Sequence, residues 1–451
     1  MRSKRLLLIL ALLLAGIIIV GLAPSLLRTI PTRYAMRLPA PLQALALPAD
    51  STPILPTAAA PLAVEGLLAG AAPPPVIVTI DAPASPTPLP LAGEAAPGAE
   101  SAAQSTPAAP PTASLQPTPT PWPVPLAARM TGFTHVYQEW NNCGPATMVM
   151  ALTHFGRVHS QRDTAAVMRP NPEDRNVTPQ EMANFVNTQD GLQAVARING
   201  DLDLLKRLLA NDVPVIVEIG LDPPGEYRWL GWYGHYLLPV AYDDATSQFW
   251  VYDSWLGTSE IPQTNADPNG RVLTYEELDS YWSQFNRSYI ALYRPDQAAL
   301  VNELLGQTQD DDTMWRDSLT HAQAEAARNP DNAFYWFNLG TSYNALGDFD
   351  KAAAAFDQAR AIGLPWRMLW YQFGPYEAYY KTGRYEDVVL LAETTLQDRP
   401  YFEESFYYLG LAEAALGDNQ SARENLEMSA AFNPNFAPAR QALTDLTAPG
   451  G

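Results

Sequence analysis

Residues Gln138–Gly156 read QEWNNCGPATMVMALTHFG and contain the single cysteine of a 451-residue chain. After Pro145 the apolar residues Met148 and Leu152 recur at helical spacing, and proline suits a first helical turn because it has no N–H to lose. The pattern predicts a helix that begins just after Cys143. The free N–H groups and positive dipole of a helix N-terminus favour a thiolate, the nucleophilic form of cysteine.

A lone cysteine is more often a small buried hydrophobic residue than a catalyst, so its neighbours decide the interpretation. The run resembles the active-site segment of papain-like cysteine peptidases, most closely the bacteriocin-processing (double-glycine leader) peptidases, in which a glutamine precedes a Cys-Gly pair at a helix start. The resemblance extends from about His135 to Arg294 and implies an α+β papain-like fold. It further implies that Cys143 is the nucleophile, a downstream histidine the base and an aspartate its orienting group.

The stretch GHYLLPVAYDDATSQFWVYDSW, Gly234–Trp255, reads as two strands joined by a polar turn. If Asp243–Ala245 forms the tip of this antiparallel hairpin, His235 and Asp253 are directly opposite, with Cβ atoms roughly 5 Å apart on one face. This is the geometry that a base and its orienting carboxylate require. The family resemblance falls on the same two residues, which completes a predicted Cys143–His235–Asp253 triad.

Other interpretations exist for each of these residues. Asp253 can simply end its strand by accepting hydrogen bonds from the following turn. A histidine at a strand start is usually an ordinary surface or core residue. The remaining histidines do not match the family order: His135, His154, His159 and His321.

Gln138 is the predicted oxyanion-binding side chain, because its amide and the Cys143 backbone N–H can converge on one oxygen. It precedes the cysteine by five positions, whereas the family glutamine commonly stands six before it. Asn141 or Asn142 offers an amide as an alternative.

The chain begins with Arg2, Lys4 and Arg5, and residues Leu6–Leu27 then carry no charge. About 20 apolar residues cross a bilayer, so residues 1–27 are predicted to be a cytoplasmic stub and a transmembrane signal anchor. A cleaved signal peptide is the alternative, although Pro24 after the small residues would hinder cleavage. The folded domains are then expected to be extracytoplasmic.

Residues 28–126 are rich in Pro, Ala and Thr and are predicted to be a disordered, extended linker. The formal net charge of −20 and the lack of a basic cluster beyond the first five residues argue against nucleic-acid binding. No phosphate-binding loop of the kind found in transporter ATPases occurs. One cysteine excludes intrachain disulfides and cysteine-rich metal sites, and no cofactor is predicted.

Residues 127–295 show helices first and strands afterwards. Thr178-Pro-Gln-Glu181 is a capping box, Leu202–Ala210 a helix, and Val213–Ile219 a buried strand. A loop before His235 holds four aromatic residues that either line a substrate cleft or pack on the core: Tyr227, Trp229, Trp232 and Tyr233.

Residues 296–329 read as a connector and a helix, and residues 330–446 resemble tetratricopeptide repeats. Trp336-x2-Leu339-Gly340-x2-Tyr343 fits that pattern, and Gly383 and Gly417 mark turns 34 residues apart. The middle repeat is irregular and aromatic, and Pro375 is predicted to interrupt it. The acidic stretch near Asp310 predicts that the two folded parts have independent cores.

Together these observations predict a membrane-anchored cysteine peptidase whose repeats bind a protein or peptide. The alternative is a non-catalytic scaffold in which a peptidase-like fold binds peptides. Hydrolysis and acyl transfer stay open, since both pass through the same thioester.

Overall fold

The computed structural model describes residues 54–64, 66–68, 124–171, 173–174, 176–189, 191–223, 231–259, 264–265 and 267–447. The predicted anchor over residues 1–27 lies outside these ranges, as do Tyr227 and Trp229 of the aromatic loop. Across the described ranges, no helix combines the length and the apolar character needed to cross a membrane.

The sheet region, residues 124–305, is built on an antiparallel sheet in which the described strands follow the order β2-β7-β3-β4-β5-β6. Strand β1 pairs with the far end of β4, at Ala241–Asp243. β3 pairs with its near end, at Tyr233–Leu237. The strands are β1 Ala127–Arg129, β2 Gln193–Arg197, β3 Val215–Leu221, β4 Tyr233–Asp243, β5 Gln248–Asp253, β6 Arg271–Thr274 and β7 Tyr289–Tyr293.

Helices cover both faces of this sheet, as the alternating side chains of its strands require. On one face Ile216 and Leu238 pack in a core with Met148 and Met182 of two helices. On the other face Val217 and Leu237 belong to a second core with further helices. The helices are α1 Cys143–Thr153, α2 Gln161–Met168, α3 Pro179–Gln189, α4 Leu202–Ala210, α5 Tyr275–Trp282 and α6 Ala298–Leu305.

The local signals in the sequence place several of these elements correctly. Thr178 and Glu181 exchange the two hydrogen bonds of a capping box at the start of α3. Helix α4 has the predicted bounds, and the predicted strand at Val213–Ile219 is β3, displaced by two residues.

The repeat region, residues 311–447, consists of antiparallel helix pairs. Gly347, Gly383 and Gly417 turn the chain between paired helices with φ of 79°, 74° and 89°, values that suit glycine. Pro375 lies in the first turn of its own helix, after a separate 3-10 helix at Trp366–Trp370, so the predicted interruption is confirmed. The helices are α7 Asp311–Arg328, α8 Ala333–Ala345, α9 Phe349–Ile362, α10 Gly374–Lys381, α11 Tyr385–Asp398, α12 Glu403–Leu416, α13 Asn419–Phe432 and α14 Ala437–Thr447.

The prediction of independent cores is wrong. Trp232 and Phe285 of the sheet region are each 2% exposed and belong to the same buried cluster as the repeat helices. The Trp232 ring stacks on Phe285 and on Phe334 of α8, with centroids 5.7 Å apart in both pairs. The reason is that the irregular middle repeat leaves aromatic side chains such as Tyr371 facing the sheet region, where they bury the loop before β4.

Part of the predicted disordered linker is also placed differently. Residues 54–64 and 66–68, here called the strap, lie against the repeat region, and Leu55 and Leu67 are only 1% and 3% exposed. The prediction from Pro and Ala content overlooked that leucines within this stretch supply apolar area that helices can bury.

Candidate active site

Cys143 is the first residue of α1. Asn141, two residues before Cys143, adopts φ 60°, a left-handed conformation that asparagine tolerates better than most residues. Asn142 is the N-cap but makes no capping hydrogen bond with its side chain. Its Oδ1 instead accepts a hydrogen bond of 2.8 Å from Arg169. The N-cap side chain therefore does not compete with a substrate for the N–H groups of the first turn.

The start of α1 packs directly on β4, the strand that carries His235. A Cβ atom added to Gly144 would lie 3.3 Å from Val177 and 3.5 Å from the Tyr236 ring, so little space separates the start of the helix from its neighbours. Thr147 donates a hydrogen bond to the Tyr236 carbonyl at 3.4 Å. This close packing brings the Cys143 side chain to the neighbouring residue of β4, His235.

His235 is 5% exposed and its Nε2 lies 2.9 Å from Asp253 Oδ1. Burial disfavours the charged imidazolium, but the Asp253 carboxylate outweighs it. Hydrogen bonds to Asp253 and to Cys143 add to this effect, and together they raise the pKa of His235 to about 9. A protonated imidazole beside a thiol is the partner that favours a thiolate.

Asp253 is fully buried, which by itself would raise its pKa. The attraction of His235 and Arg271 and the hydrogen bonds from His235 and a backbone N–H reverse this and hold the pKa well below its usual range. Arg271 Nη2 lies 3.1 Å from Oδ2. Oδ1 also accepts from the N–H groups of Trp255 and Leu256, at 2.8 and 2.9 Å. The carboxylate thus orients the imidazole and also ends its strand.

The register of the hairpin differs from the prediction, although the contact does not. Leu237, not His235, is the direct partner of Asp253, and the register shifts by one between Pro239 and Ala241. The turn lies after the Asp243–Gln248 pair instead of at Asp243–Ala245. His235 stands two residues from the direct partner and therefore on the same face, within diagonal reach of Asp253.

Gln138 is hydrogen-bonded to Ser254, the residue that follows Asp253 at the end of β5. Its N–H donates to the Ser254 carbonyl at 2.7 Å, and its side-chain Oε1 accepts from Ser254 Oγ at 3.0 Å. Since Oε1 is engaged, Nε2 is the atom of this amide suited to donate to an oxyanion. The described contacts do not bring Gln138 to Cys143.

Two parts of the chain match known families. Residues 124–293 match the model of the Peptidase_C39 like family, and residues 304–363 match the model of the tetratricopeptide repeat. The sheet region is similar to C39-like peptidases. No curated protein matches the chain significantly.

Solved structures that are similar to the C39-like region include the following two. One is a putative C39-like peptidase from Bacillus anthracis, with 12% identity over 37% of this chain and 98% of that chain, and a TM-score of 0.29. The other is the peptidase domain of Streptococcus ComA, a bifunctional ABC transporter involved in a quorum-sensing pathway. It has 19% identity over 36% of this chain and 99% of that chain, with a TM-score of 0.26.

Sequence reasoning missed two residues of this C39-like site. Arg271 comes from β6, and Ser254 binds Gln138. The signal for Arg271 was weak, because its strand is four residues long and reaches Asp253 only through its pairing with β5. His135 does not match the family order of the base, but it lies near the site. Its Nε2 is 2.8 Å from the Asp253 carbonyl oxygen. Burial lowers the pKa of His135 despite that neighbour.

The described aromatics of the loop before β4 do not form an open cleft wall. Trp232 is buried against the repeat region, and its Nε1 donates to Gln284 at 2.6 Å. Tyr233 packs edge-on against Trp370, with centroids 6.1 Å apart. Beside the imidazole itself lies Trp255, whose ring centroid is 6.4 Å from that of His235.

Among the described residues, Asp174, Glu403 and Glu404 bring oxygen atoms within 4.8 Å of one another, close enough to hold a cation. Burial and mutual repulsion raise the pKa of Asp174 and of Glu404 well above the usual range. The group lies where the sheet region meets α12.

Proposed function

We propose that this protein is a membrane-anchored thiol peptidase that cleaves peptide bonds with Cys143, His235 and Asp253 and binds a protein or peptide through its repeats. The observation that carries the proposal is the hydrogen-bonded series from Cys143 at a helix start, through the buried imidazole, to a buried carboxylate. Similarity to C39-like peptidases supports the same reaction class.

The geometry suggests the role of each group. Nε2 of His235 faces Asp253, which leaves Nδ1 to take the thiol proton. The thiolate attacks the peptide carbonyl, and the oxyanion accepts hydrogen bonds from the helix-start N–H groups and from Gln138 Nε2. His235 then protonates the departing amine as the C–N bond breaks, which leaves a thioester on Cys143. Water, deprotonated by His235, attacks the thioester and releases the acid.

The test uses purified full-length protein, a diverse peptide library and mass spectrometry of the products in ¹⁸O-labelled water. Cleavage by wild type, its loss in Cys143→Ala and its retention in His159→Ala would support the proposal. Heavy oxygen in the new carboxyl groups identifies hydrolysis, and its absence from a new amide identifies acyl transfer. No cleavage by wild type, or equal cleavage by Cys143→Ala, would overturn the peptidase proposal.

The second candidate is a non-catalytic peptide-binding scaffold. The observation that favours it is the strap, a short segment of this chain that lies on the repeats. The library experiment separates the two functions, because a scaffold would retain peptides without changing their mass.

We further propose that residues 1–27 anchor the protein and that the folded domains lie outside the cytoplasm. The support is the uncharged run Leu6–Leu27 after three basic residues. Retention of the full-length chain in membranes after carbonate washing is the expected result. A soluble form beginning near Pro24 would show that a signal peptide is removed instead.

A further inference from the structure

The strap lies across the repeat region and has a buried leucine near each end. Residues 66–68 form a turn, in which the Leu67 N–H donates to the Val64 carbonyl at 3.1 Å. Leu55 and Leu67 are 1% and 3% exposed and belong to the core of the repeat helices, with Val64 and Leu68 packed beside them. Leu62, between the anchors, remains 40% exposed. The strap therefore binds through a few apolar side chains separated by exposed ones.

At its first end the strap adds a short strand-like contact to the repeats. Ile54 pairs antiparallel with Pro365, and the Leu55 N–H donates to the Leu364 carbonyl at 2.9 Å. Arg360 Nε donates to the Pro56 carbonyl at 2.7 Å. Each of these hydrogen bonds is made to a main-chain atom of the strap, and any extended peptide has such atoms.

At its second end the strap is again bound through its main-chain atoms. Asp357 Oδ2 accepts from the Leu62 N–H at 2.8 Å. The Leu67 carbonyl accepts two hydrogen bonds, from Gln323 Nε2 at 2.9 Å and from the Tyr343 hydroxyl at 2.7 Å. Side chains from α7, α8 and α9 thus converge on the main chain of one short segment.

The groove is formed by Gln323, Tyr343, Asp357 and Arg360, all of which are at least nine-tenths buried. Each also has a partner within the repeats. Asp357 accepts from Tyr379 and Arg384, Arg360 pairs with Asp387, and Gln323 bonds Tyr343. Because these partners remain when the strap leaves, the polar network can stay folded around another peptide.

We propose that this groove is a binding site for extended, proline-containing apolar peptides, and that the strap occupies it as a displaceable intramolecular ligand. The inference deepens the peptide-binding part of the proposed function and rests on it. A segment of the same chain competes at an effective concentration of up to about mM, so a partner peptide must bind well enough to displace it. The strap thereby sets the affinity threshold for partners of the repeats.

The experiment measures binding without turnover, so its failure is distinguishable from failure of the peptidase proposal. The probe is a fluorescent synthetic peptide of residues 54–68, and anisotropy is recorded with full-length protein. Leu55→Asp/Leu67→Asp removes both strap anchors and should bind the probe at least tenfold more tightly than wild type. Ala59→Asp changes an exposed strap position that makes none of the contacts described above, and it should behave as wild type.

A groove variant locates the binding site. Adding Tyr343→Phe to the strap-disabled protein removes one donor to the Leu67 carbonyl and should weaken probe binding several-fold. Equal binding by wild type and the strap-disabled protein, or no effect of Tyr343→Phe, would overturn the proposal.

Hydrogen exchange on the wild type tests the same idea without any strap variant. A displaceable segment opens locally, so the Leu55 and Leu62 amides should exchange faster than those of α8 and α9, and faster still with excess unlabelled probe. Strap amides that exchange as slowly as these helices and do not respond to the probe would show that the strap is a permanent part of the fold.

Discussion

At the residue scale, the charge on His235 is maintained by groups that lie on the two strands beyond its own. Asp253 on β5 supplies the opposing charge, and Arg271 on β6 neutralises the second oxygen of that carboxylate. The arrangement keeps the imidazole protonated up to about pH 9. Consequently the thiolate–imidazolium pair should persist through neutral pH, and its loss should follow deprotonation of His235 on the alkaline side.

The first prediction concerns the reactivity of Cys143. Alkylation by iodoacetamide should already be fast at about pH 6, well below the free-thiol pKa of about 8.5, because the helix start and His235 both favour the thiolate. His235→Ala should slow the reaction at that pH. Rates measured by mass spectrometry between pH 5 and pH 10 provide the check.

His159→Ala is the matched control and should leave the alkylation profile unchanged. Asp253→Asn should lower turnover more than substrate binding, because it misorients the base. A profile that rises only above about pH 8 and ignores His235→Ala would leave the scaffold as the better account.

The second prediction concerns Gln138. If its Nε2 donates to the oxyanion, Gln138→Ala should lower kcat by about 10²–10³-fold with a small change in KM. Gln420→Ala on α13 is the control, because its side chain is exposed and donates to Glu424 one turn further along the same helix. A loss confined to KM would place Gln138 in substrate binding instead.

The sequence predicted the His235–Asp253 contact but not its register. A period of two puts residues 235, 237 and 239 on one face, so an error of two residues keeps the correct face. The one-residue shift near Pro239 and the length of the turn depend on tertiary packing. Arg271 could not be predicted either, since its role follows from the pairing of β5 with β6.

At the element scale, the amino end of β4 is held by the repeat region. Arg367 Nη1 donates to the Trp232 carbonyl at 2.9 Å, and its guanidinium lies 4.0 Å from the centre of the Tyr233 ring. A Cβ atom at Gly234 would come within 3.0 Å of the Tyr371 ring, which leaves room only for glycine. The residue that follows is His235, so the repeat region fixes the backbone position from which this imidazole projects.

The third prediction follows from this contact. Arg367→Ala should lower kcat by about tenfold or more, because displacement of a reacting group by about 1 Å can cost 10²-fold. Arg367→Lys should recover only part of the loss, since lysine keeps the charge but not the planar stacking group. The measurement is kcat together with the pH profile of Cys143 alkylation.

Arg423→Ala on α13 changes an exposed arginine and is the control for Arg367→Ala. A purely structural role for Arg367 would lower the melting temperature without altering the alkylation profile. An unchanged profile would therefore contradict a positioning role.

Elements with strong local signals could be predicted from the sequence. The capping boxes at Thr178 and Thr274 are both present, because a box needs only residues three apart. The packing of the loop before β4 could not be predicted, since its aromatic side chains are buried by residues that are distant in sequence. Their burial depends on a repeat segment more than 130 residues downstream.

At the scale of the whole molecule, the two folded regions meet at more than one place. Trp232 and Phe285 share a core with the repeats, and Asn171 binds the Tyr401 carbonyl and the Glu403 side chain at 2.6 and 3.1 Å. The second contact is connected to α1 through Arg169, two residues before Asn171. Arg169 donates hydrogen bonds to the Asp174 carbonyl and to the side chain of Asn142, the N-cap of α1. Both His235 and Cys143 are therefore supported from elements that pack on the repeat region.

This arrangement could not be read from the sequence. An acidic connector and a change from mixed to helical patterning look like a boundary between independent domains, and they say nothing about the surfaces beside it. Part of the buried area comes from Trp370 and Tyr371 of the middle repeat, whose pattern departs from the regular repeat, and part from Phe334 of α8. The irregular pattern of the middle repeat is visible in the sequence, and this is the repeat whose aromatic residues pack on the sheet region.

The carboxylates at this junction provide the last prediction. Burial, and then repulsion by Asp174 and Glu403, raise the pKa of Glu404 well above its usual range. Above the unfolded-state value of about 4.3 the unfolded chain has lost this proton while the folded protein still binds it, so stability falls as the pH rises. Glu404→Gln removes the ionisation and keeps the shape. It should raise the melting temperature by a few degrees at pH 8 and by much less at pH 5.

The measurement is a pair of thermal unfolding curves in EDTA, so that no cation compensates the carboxylates. Glu427→Gln on α13 removes an exposed carboxylate and is the control, for which no pH-dependent gain is expected. A melting temperature of Glu404→Gln equal to or below that of wild type at pH 8 would contradict the prediction. In that case the negative charges would stabilise the junction, and the contact between the two regions would depend on a group that neutralises them.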